Sequence, residues 1–136
     1  MSQETTNNKP IGEIIWHDLT ATNAPELAAF YQTVVGWKSS PVSMGDYEDF
    51  NMTGANDEPI AGICHARGVN QDIPAQWLMY VRVANVDASV AACVNSGGKV
   101  ITEPAMSGGV YMSVIADPAG AVMAIFNESR ECNPNS

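Results

Sequence analysis

The chain has 136 residues, of which 46% are hydrophobic and 15% charged, and its formal net charge is -9 at pH 7. That length and balance describe one folded domain with a real core and exclude a disordered chain. The acidity, with no Lys/Arg cluster to offset it, excludes a nucleic-acid partner, and no apolar run reaches the roughly 18–20 residues of a membrane span.

The first nine residues are polar and lack an apolar core, so they read as a flexible tail and not as a signal peptide or anchor. Residues 129–136 read the same way. The cysteines Cys64, Cys93 and Cys132 have no motif spacing, which without a secretion signal fits a cytoplasmic location. None has the setting of an activated nucleophile. Cys93 falls in a helical pattern as a small buried residue.

Residues 9–20 alternate as a first strand, with Ile14, Trp16, Asp18 and Thr20 on one face and Ile15, His17 and Leu19 on the other. Asn23 then caps a helix, with Pro25 in its first turn and Glu26 at the capping-box position. Leu27, Phe30, Tyr31 and Val34 form its apolar stripe, and Gly36 stops it. Residues 37–44 form a strand that Pro41 marks as an edge or a bulge. Residues 47–53 alternate, with Tyr47, Asp49 and Asn51 on one face and Phe50 and Met52 on the other. After a loop, residues 60–66 form a fourth strand.

Residues 67–74 are aperiodic and read as a linker. Residues 76–84 form a strand, and Asn85 caps a helix whose stripe is Val86, Val90, Cys93 and Val94, ending at Gly97-Gly98. Residues 99–103 form a strand stopped by Pro104. Residues 110–116 form another, Asp117 to Gly120 a tight turn, and residues 121–128 the last strand.

The order of elements repeats. A shift of 62 takes Asn23 to Asn85 and Gly36 to Gly98, and also Phe50 to Met112, Met52 to Val114 and Ile63 to Ile125. A constant shift over these pairs argues for an internal duplication. The fold class expected is α+β: two βαβββ modules forming curved, mainly antiparallel sheets around a cup-shaped cavity. The modules span about 10–66 and 75–128 of a single domain, 10–128.

Phe30-Tyr31 followed by Gly36-Trp37, the Gly97-Gly98-Lys99 turn, and Asp117-Pro118-Ala119-Gly120 before a last strand resemble the vicinal oxygen chelate superfamily. That superfamily holds glyoxalase I, bleomycin-resistance and extradiol-dioxygenase proteins, and the resemblance covers residues 10–128. It implies metal ligands, usually His, Glu or Gln, on the first and last strand of each module. Counted by the family spacing, those positions fall on Trp16, Gly62, Leu78 and Ala124. None offers a coordinating side chain, so the sequence predicts no metal and no cofactor. His17 stands one place off the ligand position and is expected between sheet and helix. His65 likewise points away from the cavity.

By parity the cavity face carries Trp16, Asp18, Asp49, Asn51, Tyr80, Arg82, Tyr111 and Ser113, a half-polar set suited to orienting a small molecule. Trp16 either stacks on an aromatic or cationic ligand or fills the space. Arg82 either clamps a carboxylate or phosphate or pairs with Asp18 or Asp49. Trp77 lies on the other parity and packs. The expected function is a metal-independent, cytoplasmic small-molecule-binding protein of the bleomycin-resistance type, working as a homodimer and sequestering its ligand. The alternative is a glyoxalase-like lyase or isomerase, with or without an unusual metal site, using Asp18, Asp49 or Tyr80 as acid or base. The sequence names no catalytic residue outright.

Overall fold

A computed structural model describes residues 10–128. The tails expected at 1–9 and 129–136, and Cys132 with them, lie outside the described residues. The fold is α+β, with elements β1 (Ile14–Ala21), α1 (Ala24–Val35), β2 (Lys38–Ser43), β3 (Glu48–Thr53), β4 (Pro59–His65), β5 (Trp77–Arg82), α2 (Val86–Asn95), β6 (Lys99–Ser107), β7 (Val110–Ala116) and β8 (Val122–Glu128). The βαβββ order occurs twice, as the duplication predicts.

Contacts divide the described residues into two compact units: Trp16–Leu78, and residues 79–128 together with residues 10–15. The strand order in the first is β2-β3-β4-β1, and in the second β5-β8-β7-β6. Each unit has two antiparallel ladders and one parallel ladder, β1 with β4 and β5 with β8. The unit boundaries differ from the expected modules. Gly12 donates to the Arg82 carbonyl at 2.7 Å and Arg82 N–H to the Glu13 carbonyl at 3.0 Å, which ties residues 10–15 to the second unit.

In the first unit α1 covers one sheet face. Leu19, Ala24, Ala28, Met52 and Ile63 are buried together, with Leu27, Tyr31, Trp37, Phe50 and Trp77 packed against them. Ala24, Leu27, Ala28 and Tyr31 repeat at helical spacing, so this is the stripe that meets the sheet. The stripe expected from the sequence, Leu27, Phe30, Tyr31 and Val34, is rotated from this one. Phe30 (53% exposed) and Val34 (58%) sit on the far side of α1. Trp77 packs as expected, its indole N–H donating to the Tyr31 hydroxyl at 3.0 Å.

Two local expectations also change. Asn23 makes no side-chain cap; its amide donates to Glu26 Oε1 at 3.2 Å instead, whereas Asn85 Oδ1 does accept from Ala88 N–H at 2.9 Å. Pro104 does not stop β6, which runs on to Ser107 with register shifts between Val100 and Thr102 and between Thr102 and Ala105. Since β6 is the outer strand of its unit, the missing N–H of proline breaks no ladder on that side.

Candidate functional site

In the first unit the parallel ladder sets Asp18 opposite Gly62 and Thr20 opposite Cys64, and the antiparallel ladder sets Asn51 opposite Gly62. Paired residues project from the same side of a sheet, so Trp16, Asp18, Asn51, Gly62 and Cys64 share the face turned away from α1. Asp49 joins them by alternation. Trp16, Asp18, Asp49 and Asn51, expected together by parity, share this sheet face.

Asp18 is the centre of that face and is buried, at 8% exposure. The indole N–H of Trp16 donates to its Oδ1 at 3.0 Å, and the Cys64 thiol donates to its Oδ2 at 3.2 Å. The carboxylate lies over Gly62, where a Cβ would overlap Oδ1 and stand 3.4 Å from Cγ and 3.3 Å from Trp16 Nε1. Burial pushes the Asp18 carboxyl up to about 6, with the negative Asp49 adding to the rise; the Cys64 and Trp16 hydrogen bonds pull the other way. Burial first, and then the charge of Asp18, push the Cys64 thiol up as well, so it stays protonated at neutral pH. Cys64 is thus a donor and not a nucleophile, as its sequence context indicated.

Asp49 is held at the end of this face. Its Oδ1 accepts the His65 backbone N–H at 2.9 Å and meets His65 Nδ1 at 3.1 Å. The Tyr47 ring stands edge-on to the His65 ring at 5.3 Å, and the Arg67 guanidinium lies 3.9 Å over Tyr47. These contacts correct two expectations. His65, the last residue of β4, does not turn away from the polar face but joins it through Asp49. His17 is exposed and is not enclosed between sheet and helix.

The second unit departs from the expected face. In β7, Ser113 pairs with Ile125 and Val114 with Ala124. The repeat had set Ser113, as the mate of Asn51, beside Ala124. The duplication therefore runs one residue further along in β7, and a one-residue step turns every side chain of the strand over. Met112 and Val114 share the face of Ala124 and Phe126, while Tyr111 and Ser113 point to the helix side. There the Tyr111 hydroxyl donates to Asp87 Oδ1 on α2 at 2.7 Å, and the fully buried Ser113 hydroxyl donates to the Thr102 carbonyl at 2.6 Å. Arg82 pairs with Glu128, at 2.9 Å from Nη2 and 3.3 Å from Nε. Tyr80 is half-buried, opposite Ala124, with its ring 6.5 Å from that of Phe126. This second face is mainly apolar.

The metal positions implied by the resemblance hold Trp16, Gly62, Leu78 and Ala124. Trp16 Nε1 is a donor already engaged by Asp18, and the other three have no coordinating atom in their side chains. Among the described residues no group of three or more His, Cys, Asp and Glu is placed to hold a metal ion. The residues at those positions do not fit a divalent ion. Sequence reasoning missed Cys64 and His65 as parts of the site and took Gly62 only as a ligand position without a coordinating side chain. The period-two pattern that pairs Cys64 with Gly62, together with a glycine at an expected ligand position, was the available signal.

A family model described as "Glyoxalase-like domain" matches residues 15–126. Among curated proteins, "Putative glyoxylase CFP32" of Mycobacterium tuberculosis is 33% identical over 116 residues, which cover 84% of this chain and 43% of that protein. "Anthracycline biosynthesis protein DnrV" of Streptomyces peucetius is 29% identical over 133 residues, covering 86% and 47%. The chain therefore spans less than half the length of these relatives. A structure of a Streptomyces coelicolor methylmalonyl-CoA epimerase variant, in complex with 2-nitronate-propionyl-CoA, superposes with a TM-score of 0.52 at 13% identity, covering 89% of this chain and 97% of that one. At that identity the likeness is one of fold.

Proposed function

This chain belongs to the glyoxalase-like domain family, and from that premise we propose that it binds a small organic molecule on the Trp16–Asp18–Asp49–Asn51 face without a metal ion at the family's usual positions. The observation that carries the reading is the Asp18 carboxylate lying over Gly62, held by Trp16 and Cys64, where the family resemblance puts metal ligands. Each Asp18 oxygen accepts one hydrogen bond, from Trp16 or Cys64, and keeps acceptor capacity, and Asn51 adds both donor and acceptor. The half-buried Trp16 ring supplies an apolar surface beside them. Such a face suits a ligand with N–H or O–H donors next to a flat apolar part. The acidic balance of the chain adds attraction for a cation.

The reading extends to a homodimer in the cytoplasm that sequesters its ligand. No described helix is long and apolar enough to cross a membrane. Native mass spectrometry of gently purified, untagged protein is the test. A dimer with extra organic mass and no metal supports the reading, and one stoichiometric divalent ion per chain overturns it.

A second reading is favoured by one observation: the Asp18 carboxyl, at about 6, is poised near neutral pH for proton transfer. In that reading Asp18 is the base of a lyase or isomerase and takes a proton from carbon beside a carbonyl. Turnover of a hemithioacetal or an acyl thioester that persists in chelator and is lost in Asp18→Asn supports it. Turnover unchanged in Asp18→Asn removes it.

A further inference from the structure

We infer that Gly62 is a positioning residue: the absence of a side chain at 62 is what admits the Asp18 carboxylate to this face, so the two positions exclude one another as suppliers of a functional group. The strands make this geometric. Asp18 on β1 and Gly62 on β4 are register partners in a parallel ladder, so their side chains rise from the same side of neighbouring strands. The carboxylate leans across onto Gly62 and is fixed there at both oxygens, by Trp16 at 3.0 Å and Cys64 at 3.2 Å. A Cβ at 62 would overlap Oδ1, with Asp18 Cγ at 3.4 Å and Trp16 Nε1 at 3.3 Å. Gly62 is itself buried, so the methyl group has no open side to move into.

The backbone does not require glycine at 62. The positive-φ glycines of the described chain are elsewhere, at 12, 36, 45, 68, 97, 108, 109 and 120. What glycine provides at 62 is volume and not conformation. The consequence is a choice of strand. A residue at 62 large enough to reach a ligand expels Asp18, and a carboxylate at 18 requires 62 to be bare. At this β1–β4 pair the carboxylate is thus supplied from β1, beside the Asp49 that β3 brings to the same face. This deepens the reading of the face as a binding site and takes its functional meaning from it, but its test needs no ligand.

The test is a double-mutant cycle of Gly62→Ala and Asp18→Ala by urea unfolding of the full chain, with the Trp16 indole N–H followed by 15N–1H NMR. Gly62→Ala is expected to raise the unfolding constant by at least about tenfold more in the Asp18 background than in Asp18→Ala, as for two groups in direct contact. The Trp16 indole resonance is expected to move in Gly62→Ala while that of Trp77, bonded to Tyr31, stays. Equal factors in both backgrounds, or an unmoved Trp16 resonance, overturn the inference. Should Gly62→Ala alone not fold, the double variant decides: it is expected to fold like Asp18→Ala, and its failure to fold overturns the inference. A chain that binds no small molecule would end the proposed function and leave the cycle's result standing.

Discussion

The Cys64 thiol and the Asp18 carboxylate face each other across neighbouring strands, Sγ donating to Oδ2 at 3.2 Å. Each changes what the other can do. The thiol holds its proton first because it is buried and then because a carboxylate sits against it, and the carboxylate stays below the value that burial alone would give because the thiol and the Trp16 indole donate to it. Replacing Cys64 by alanine removes one of the two hydrogen bonds that lower the Asp18 carboxyl. Its titration is therefore expected to move above 6. Carboxyl 13C NMR across pH 4–8 checks this, and an unchanged or lower midpoint contradicts it.

Asp18 also gives stability a sign with pH. Its folded value, about 6, lies above the ordinary 3.8, so between those two values the folded state binds more protons than the unfolded one. Stability from this group is present below about 4 and is lost as pH rises through about 6. The full difference is on the order of 3 kcal/mol. Asp18→Asn has no such titration. The stability of wild type relative to Asp18→Asn is expected to fall between pH 4 and 6.5 and to level off above, measured by urea unfolding at each pH. A flat difference would mean that Asp18 is solvated in solution.

The helix-side core of the first unit rests on side chains with no exposure, Ile63 and Met52 among them. Ile63→Ala leaves a void between β4 and α1 and is expected to cost about 2–5 kcal/mol by chemical denaturation. Phe30→Ala, on the outer side of α1, is expected to cost less than about 1 kcal/mol. A sequence-only reading of the stripe gives Phe30 a large cost, so the pair distinguishes the two orientations of the helix.

The register of β7 has its own test. Tyr111→Phe removes a hydrogen bond to Asp87 and is expected to cost about 1 kcal/mol in thermal or urea unfolding. It is expected to leave untouched any ligand detected by native mass spectrometry, because Tyr111 faces α2. Asn51→Ala, in contrast, is expected to lower the retained ligand and change stability little. The reverse pattern would restore the sequence-derived face.

The sequence by itself determined the element order, the duplication and the α+β class. Those follow from local signals: Asn85 as a cap, Gly36 as a left-handed stop, and Asp117 organising its turn by accepting from Ala119 and Ala121 N–H at 2.8 and 2.9 Å. It also placed Trp16, Asp18, Asp49 and Asn51 on one face, because alternation within a strand is a local property. Tertiary structure alone decided what crosses between strands. Register in β7 sets Val114 and not Ser113 opposite Ala124, and that single step sent Tyr111 and Ser113 to the helix side. Arg82 found Glu128 and Asp18 found Cys64, in both cases 46 residues apart in the chain. Alternation tells which side of a strand a residue takes, and only the packed sheet tells which residue lies beside it. Gly62 shows the limit most plainly, since a glycine in a strand carries no side-chain pattern, and its meaning appears only when the neighbouring carboxylate is seen filling its place.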